Sequence, residues 1–167
     1  MQSTTATASP IPIWIAIILA VVPVAATAAL GNIATLPNIP TWYAGLAKPS
    51  FNPPNWIFAP VWTTLYAIMA YAFFRVLRTP VEQSRRKSAI IAFFTQIALN
   101  AAWSWAFFAG HSPLGGLIVI APLWLAIVAT MAAFAHIDRA AAWLLAPYLA
   151  WVSFASLLNA AIYWLNR

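Results

Sequence analysis

The stretch LGGLIVIAPLWLAIVATMAAFA, residues 114–135, decides the class of this protein. It contains no charged side chain and matches the roughly 20 apolar residues that a helix needs to cross a bilayer. Four further apolar runs of similar length cover about residues 13–34, 56–77, 89–108 and 140–165. With 64% hydrophobic and 6% charged residues, the chain has too few charges to cover a soluble surface. The sequence therefore predicts an all-α integral membrane protein, a five-transmembrane-helix bundle without strands that forms a single domain over residues 1–167.

The basic residues are distributed unevenly between the connections. Most of them bracket the second or fourth connection, and the positive-inside rule places those connections and the N-terminus on the cytoplasmic side. The net charge of +6 is accordingly interpreted as membrane-flanking, with the lipid bilayer rather than nucleic acid as the partner. No Lys or Arg precedes the first run, which is interpreted as a retained span and not as a signal peptide. The residues on the basic side are Arg75, Arg78, Arg85, Arg86, Lys87 and Arg139.

Few residues could carry catalytic or metal chemistry. The chain has no Cys, and the interiors of the spans contain no Asp, Glu, Lys or His, which disfavours transport driven by buried charges. His111 and His136 stand at helix ends without nearby ligand partners in the sequence. No nucleophile–base pair is visible. We therefore predict no metal site, no required cofactor and no catalytic residue of these kinds.

The connection between the first two spans is long and rich in proline. Residues 35–55 read TLPNIPTWYAGLAKPSFNPPN and include five prolines, which exclude a regular helix. Long connections of this kind are usually functional or disordered. The aromatic residues Trp42, Tyr43 and Phe51 favour an ordered loop.

Aromatic residues and amides form stripes on three of the predicted helices. On the third span Gln96, Asn100, Trp103 and Phe107 share one side at 100° per residue. The amides there could join helices or contact a ligand. Comparable faces lie on the second and fifth spans, and such stripes either pack the bundle or line a pocket for a flat apolar guest. Those faces contain Phe58, Trp62, Tyr66, Met69 and Phe73, and Tyr148, Trp151, Ala155, Leu158, Asn159 and Ile162.

Two weaker patterns concern association. Ala98, Ala102 and Ala106 recur every fourth residue on the third span, a spacing that allows close helix approach within the bundle or at a homodimer interface. Near the C-terminus, Leu158, Tyr163 and Arg167 fit a loose sterol-binding pattern. The same Tyr and Arg would serve equally as interfacial anchors.

Three segments resemble the TspO/MBR family, which includes bacterial tryptophan-rich sensory proteins and the mitochondrial translocator protein, or peripheral-type benzodiazepine receptor. The segments are WYAGLAKPSFNPPNWIFAPVWTTLY (residues 42–66), QIALNAAWSWAFF (96–108) and LLAPYLAWVSFASLLN (144–159). They occur in the order and spacing of the family, and the similarity extends over nearly the whole chain from the first span. This sequence departs from the family at Phe51, where many members have Trp, and in its Ser/Thr-rich N-terminal tail.

The resemblance implies a multi-pass protein of the bacterial cell membrane, or of the outer membrane, that is commonly dimeric. Implied ligands are porphyrins, haem, and isoquinoline- or benzodiazepine-type compounds. Sterols are a weaker expectation, because Tyr163 and Arg167 stand later relative to Asn159 than in the mitochondrial proteins. Trp62 and Trp151 match tryptophans linked to porphyrin binding and breakdown, and Tyr43 matches an aromatic residue of the capping loop. Positions that match the lining of the family's pocket are Phe58, Asn100, Trp103, Phe107, Ala155 and Leu158.

Three functions are compatible with these features. The first is a membrane protein that binds porphyrin or haem in order to sense, transport or regulate tetrapyrroles. The second is an enzyme that degrades porphyrin oxidatively or with light, using Trp62 and Trp151 as redox-active groups. The third is a structural or assembly protein whose aromatic faces only pack helices. We rank binding first, because no acid–base pair or cofactor motif supports an enzyme.

Overall fold

Five apolar helices long enough to cross a membrane dominate residues 7–167, the part of the chain that the computed structural model describes. The expected five spans and the all-α membrane class are confirmed. The last span is divided into two helices at Leu145, just before Pro147. The helices are α1 (Ile13–Thr35), α2 (Phe58–Arg78), α3 (Gln83–Ser104), α4 (Pro113–Ala135), α5 (Arg139–Leu144) and α6 (Ala146–Leu165).

The third helix extends beyond its predicted limits at both ends. It begins at Gln83 and not near Ala89, so the charged residues 85–87 form its first turns rather than a loop. At its other end it continues through a π-helical turn, Trp105–Ala109. The sequence indicated where the apolar segment begins, but a helix can carry its charged turns beyond the hydrocarbon into the interface.

A short strand pair departs from the expectation of no strands. Thr7–Ala8 (β1) pairs antiparallel with Val81–Glu82 (β2), the connection between α2 and α3. Arg78 donates a hydrogen bond to the carbonyl of Ile11 at 2.7 Å and so holds the same segment. The first six residues of the Ser/Thr-rich tail lie outside the described part of the chain.

The five spans form a closed ring. α1 packs against α2 and α3, α3 against α4, α4 against the last span, and the last span returns to α2 through α5. As the basic residues predicted, the N-terminal segment and the α2–α3 connection lie at the same end of the ring. The N-terminal segment meets the α2–α3 connection at the basic end, whereas Ala47 of the long loop bonds to Asn166 near the C-terminus at the other end.

The basic half of the ring is filled with side chains. Phe73 stacks on Phe93 with ring centroids 3.9 Å apart, and Phe134 packs parallel to both at about 6 Å. All three rings are buried, together with Met69 and Leu77. The opposite half contains a cavity that is bordered by bulky aromatic residues.

Candidate functional site: an aromatic cavity

A cavity of about 400 Å³ lies between the helices at the end of the bundle opposite Arg75, Arg78 and Arg139. It is within the size range of small-molecule sites, which are mostly apolar with a few placed polar groups. No charged side chain is among its described lining residues. The lining consists of Ala28, Gly31, Asn32, Thr35, Leu36, Ile39, Tyr43, Asn55, Phe58, Ala59, Trp62, Thr63, Tyr66, Trp103, Ser104, Phe107, Phe108, Trp151, Ala155, Leu158, Asn159 and Ile162.

The structure brings together eight of the nine ligand-binding residues that the sequence indicated. Only Asn100 is absent from the described lining. The two candidate tryptophans, Trp62 on α2 and Trp151 on α6, both border the same cavity. The other six lining residues are Tyr43, Phe58, Trp103, Phe107, Ala155 and Leu158.

The α2–α6 wall is built from edge-to-face aromatic contacts. Phe58 meets Trp151 with ring centroids 5.9 Å apart and planes at 73°. Trp62 packs beside Tyr66 at 5.4 Å on the same face of α2. Both tryptophans are half-buried, which leaves ring surface facing the cavity. These indoles can stack against a flat apolar ligand.

The α3 wall is a stacked pair fixed by hydrogen bonds to its neighbours. Trp103 and Phe107 stack at 5.5 Å with planes 20° apart. The indole N–H of Trp103 donates to Oδ1 of Asn159 on α6, and Nδ2 of Asn159 donates to the carbonyl of Pro113 at 2.8 Å. Asn159 therefore links the indole on α3 to α6 and to the first residue of α4.

The π-helical turn in α3 widens the aromatic wall. Gly110 N–H donates to the carbonyl of Trp105 at 2.7 Å, which closes an i→i+5 turn. The extra residue in that turn allows both Phe107 and Phe108 to be buried against the cavity. Wheel reasoning at 100° per residue found Phe107 and missed Phe108, because it assumed an unbroken α-helix.

Asn100 lies one layer behind the cavity wall. Its Oδ1 accepts a hydrogen bond from the hydroxyl of Tyr66 at 2.8 Å, and its Nδ2 donates to the hydroxyl of Tyr148 at 3.0 Å. With only 2% of its surface exposed, Asn100 has no free face for a ligand. The expectation that it lines the pocket is thereby corrected: its partner Tyr66 borders the cavity instead.

Gln96 lies a further turn along α3 and is also buried. Its Nε2 contacts the sulfur of Met69 at 3.9 Å, while its Oε1 has no hydrogen-bond partner among the described residues. The alternative of ligand contact left open for this amide therefore has no support in the geometry, since Gln96 is not in the described lining.

The long loop closes the cavity on the water side. It contains three short 3₁₀ helices, Leu36–Asn38, Tyr43–Gly45 and Asn55–Ile57, in agreement with an ordered, non-helical segment. Tyr43 of this loop has a buried side chain and donates a hydrogen bond to Oδ1 of Asn52, in the same loop, at 2.8 Å. Burial raises the pKa of Tyr43 to about 12, so its hydroxyl remains a donor at physiological pH.

The loop is anchored to the rest of the protein at two points, His111 and Asn166. Trp42 stacks on His111 at 5.1 Å, and Nε2 of His111 lies 2.7 Å from Oδ1 of Asn38. Asn166 accepts a hydrogen bond from the Ala47 N–H and donates one to its carbonyl. His111 thus has a structural environment in this loop, and within residues 7–167 no three His, Asp or Glu side chains cluster as metal ligands.

α1 contributes to the cavity although no pattern in the sequence indicated this. Ala28, Gly31, Asn32 and Thr35 all border it. At Gly31 an added Cβ would lie 3.4 Å from Oγ of Ser104 and 3.8 Å from the Tyr66 hydroxyl, so α1 approaches α2 and α3 closely there. Because nearly all of α1 is apolar, no stripe distinguished its inward face.

The alanine stripe on α3 lies outside the described lining of the cavity, and the loose sterol pattern is divided between the cavity and the C-terminus. Ala98 and Ala102 are exposed on the outer surface of α3, and Ala106 is half-buried. The three residues of the loose sterol pattern are separated: Leu158 is buried at the cavity, whereas Arg167 lies over the ring of Trp164 at 3.3 Å. The contact between Arg167 and Trp164 is typical of side chains that anchor a helix end at the membrane interface.

Comparisons with known proteins agree with the resemblance carried by the motifs. The sequence profile of the TspO/MBR family matches residues 13–165. The chain is 47% identical to the tryptophan-rich protein TspO of Chlorobaculum tepidum over 78% of this chain and 83% of that protein. It is 37% identical to protein CrtK of Rhodobacter capsulatus, over 75% and 78% of the two chains. It is also 37% identical to the human translocator protein, over 73% of each chain. The protein therefore belongs to the TspO/MBR family of membrane proteins.

Proposed function

We propose that this protein binds a porphyrin or haem in the aromatic cavity and thereby senses, transports or regulates tetrapyrroles. The observation that carries the proposal is that Trp62, Trp103 and Trp151, from three different helices, border one cavity without a charged side chain in its described lining. Aromatic contacts of this kind contribute roughly 0.5–1.5 kcal/mol each beyond the burial of area. A large, flat and apolar macrocycle uses all three faces together.

The neutral lining also constrains the orientation of such a ligand. A porphyrin carries acidic propionates, and a carboxylate in an apolar cavity without a partner is strongly disfavoured. The propionates should therefore point to the water-side end, where Lys48 holds its ammonium 4.7 Å over the ring of Tyr43. Isoquinoline- and benzodiazepine-type compounds are aromatic and uncharged, so we expect the same lining to accept them.

A titration of the purified protein with protoporphyrin IX tests the proposal. We expect saturable quenching of tryptophan fluorescence at one ligand per chain in detergent and in nanodiscs. An uncharged isoquinoline ligand should displace the porphyrin. Quenching that rises without saturation, as it does for free tryptophan in the same detergent, would refute binding in the cavity and favour a purely structural role for the aromatic faces.

Porphyrin degradation is the second candidate function. It is favoured by one observation: Trp62 and Trp151, the two candidate redox-active groups, border the same cavity. Turnover of porphyrin that requires both indoles and proceeds in the dark would establish an enzyme. Bleaching that occurs only under illumination and stops after one equivalent is expected of a binding protein.

A further inference from the structure

A second hollow adjoins the cavity along the α1–α2 contact. It is a groove of about 490 Å³ on the outer surface of the bundle. Tyr66 borders both spaces and is the one residue that their described linings share. The groove is lined by Ile17, Ala20, Val21, Val24, Ala25, Tyr66, Ala67, Ala70, Tyr71 and Phe74.

The groove opens towards the lipid. Ile17 and Val21 on its α1 side are 48% and 49% exposed, and Tyr71 on its α2 side is 52% exposed. These residues belong to spans that cross the membrane, so the solvent they face there is hydrocarbon. Ala25 and Ala67 lack long side chains and leave the space between the helices open.

Tyr66 separates the groove from the cavity. It is half-buried, and its hydroxyl is tethered by the single hydrogen bond to Asn100 at 2.8 Å. The neighbouring cavity wall on the same seam is also made of small residues, Ala28 on α1 and Ala59 and Thr63 on α2. Tyr66 is therefore the described side chain that stands between the two spaces.

The water-side end of the cavity is restrained more strongly. Two anchors hold the loop to the rest of the protein: Trp42 stacks on His111, and paired hydrogen bonds join Ala47 to Asn166. Within the loop, Tyr43 is also hydrogen-bonded to Asn52. Opening this end requires several of these contacts to break together. At the seam, Tyr66 is held by one side-chain hydrogen bond, to Asn100.

We infer that the flat apolar ligand enters the cavity from the bilayer through the α1–α2 seam, with Tyr66 as the gate. The inference rests on the proposed function, because it takes the occupant of the groove to be the cavity's ligand in transit. A porphyrin dissolved in the membrane reaches the groove without passing through water. In the groove its macrocycle meets uncharged side chains, all of them apolar except Tyr66 and Tyr71, before it contacts Trp62 beside Tyr66.

Association kinetics in nanodiscs test this route. Protoporphyrin IX, supplied from vesicles, is mixed with the protein in a stopped-flow instrument, and quenching of tryptophan fluorescence gives the rates. Ala25→Leu and Ala67→Leu fill the groove without altering a described lining residue of the cavity. Each should slow association and dissociation by about tenfold, because crowding a packed passage is costly, while the equilibrium Kd changes by less than about twofold.

Matched controls separate the possible entry routes. Ala129→Leu places the same side chain on the exposed surface of α4 and should leave the rates unchanged. Asn166→Ala releases the loop from the C-terminal end and should also leave them unchanged. Unaltered rates in both groove variants would overturn the route and leave the groove to lipid chains, and faster rates in Asn166→Ala would place entry at the loop. If the wild-type protein shows no saturable binding, the proposed function fails as well.

Discussion

The indole N–H of Trp103 on α3 donates a hydrogen bond to Oδ1 of Asn159 on α6 at 3.2 Å. Gly116 on α4 lies against Asn159 and Phe107, and its lack of a side chain leaves room for both. A Cβ at position 116 would lie 2.5 Å from Oδ1 of Asn159 and 2.8 Å from Cδ2 of Phe107. The cavity wall on α3 thus depends on a glycine of a different helix.

We therefore expect Gly116→Ala to destabilise the protein and to weaken porphyrin binding. The added methyl group displaces Asn159 and Phe107, and overpacking of this kind costs about 1–3 kcal/mol. Thermal unfolding in detergent and porphyrin titration measure the two effects. Gly45→Ala is the matched control, because no atom lies within 4 Å of its added Cβ. Equal behaviour of the two variants would show that the Trp103–Asn159 contact is not required.

Removal of either central indole should weaken porphyrin binding while the bundle remains folded. Trp62→Ala and Trp151→Ala each delete an aromatic face of the cavity, worth about 0.5–1.5 kcal/mol in addition to the area buried, so the Kd should rise at least severalfold. The absorbance band of the porphyrin gives the Kd without relying on the altered tryptophan signal. Trp14→Ala changes an indole that is 63% exposed on α1 and should bind normally. If all three variants bind alike, the aromatic faces only pack helices.

The stripe of Ala98, Ala102 and Ala106 gives a prediction about self-association. We expect Ala102→Leu to lower the fraction of homodimer, because a branched side chain on the exposed surface of α3 holds the two helix backbones apart. Crosslinking in membranes and mass measurement in detergent determine the oligomeric state. Ala129→Leu on the exposed surface of α4 serves as the control. An unchanged dimer in the α3 variant would move the interface to another surface.

Asp138 should stabilise the bundle through two separable contacts. Its Oδ1 caps α5 by accepting from the N–H groups of Ala140 and Ala141, and its Oδ2 accepts from Nε of Arg75 on α2 at 2.8 Å. Asp138→Asn keeps a capping side chain and loses the ion pair, which is partly exposed to water and therefore contributes little. Asp138→Ala should cost about 1 kcal/mol more, since the cap is lost too. Thermal unfolding of the three proteins compares these costs.

The pH dependence of that contribution has a defined sign. Burial raises the pKa of Asp138, but the hydrogen bond from Arg75, those from Ala141 and Ala140, and the charge of Arg75 outweigh it and hold the pKa below its ordinary value. The contribution is therefore complete above the ordinary pKa of a carboxyl group and is lost as the pH falls through the lower, folded-state value. The stability difference between wild type and Asp138→Asn should shrink below about pH 4. A difference that stays constant down to pH 2 would show that the charge of Asp138 contributes nothing.

The amino-acid sequence by itself determined the membrane class, the five spans and which residue types could form a site. Uncharged runs of about 20 residues have one favourable environment, and the stripes on the second, third and fifth spans held ten of the cavity's described lining residues. The motifs in residues 42–66, 96–108 and 144–159 added the family, which the profile match over residues 13–165 confirms.

Only the tertiary structure decided which faces meet and which groups remain free. Asn100 became a buried tether between Tyr66 and Tyr148, and Gly31 on α1 became part of the cavity. In hydrocarbon a helix can be apolar on every side, so hydrophobicity does not report its rotation about its own axis, as α1 demonstrates. Rotation follows from how neighbouring side chains interlock, and a single extra residue in the turn Trp105–Ala109 changed which aromatic rings face inward.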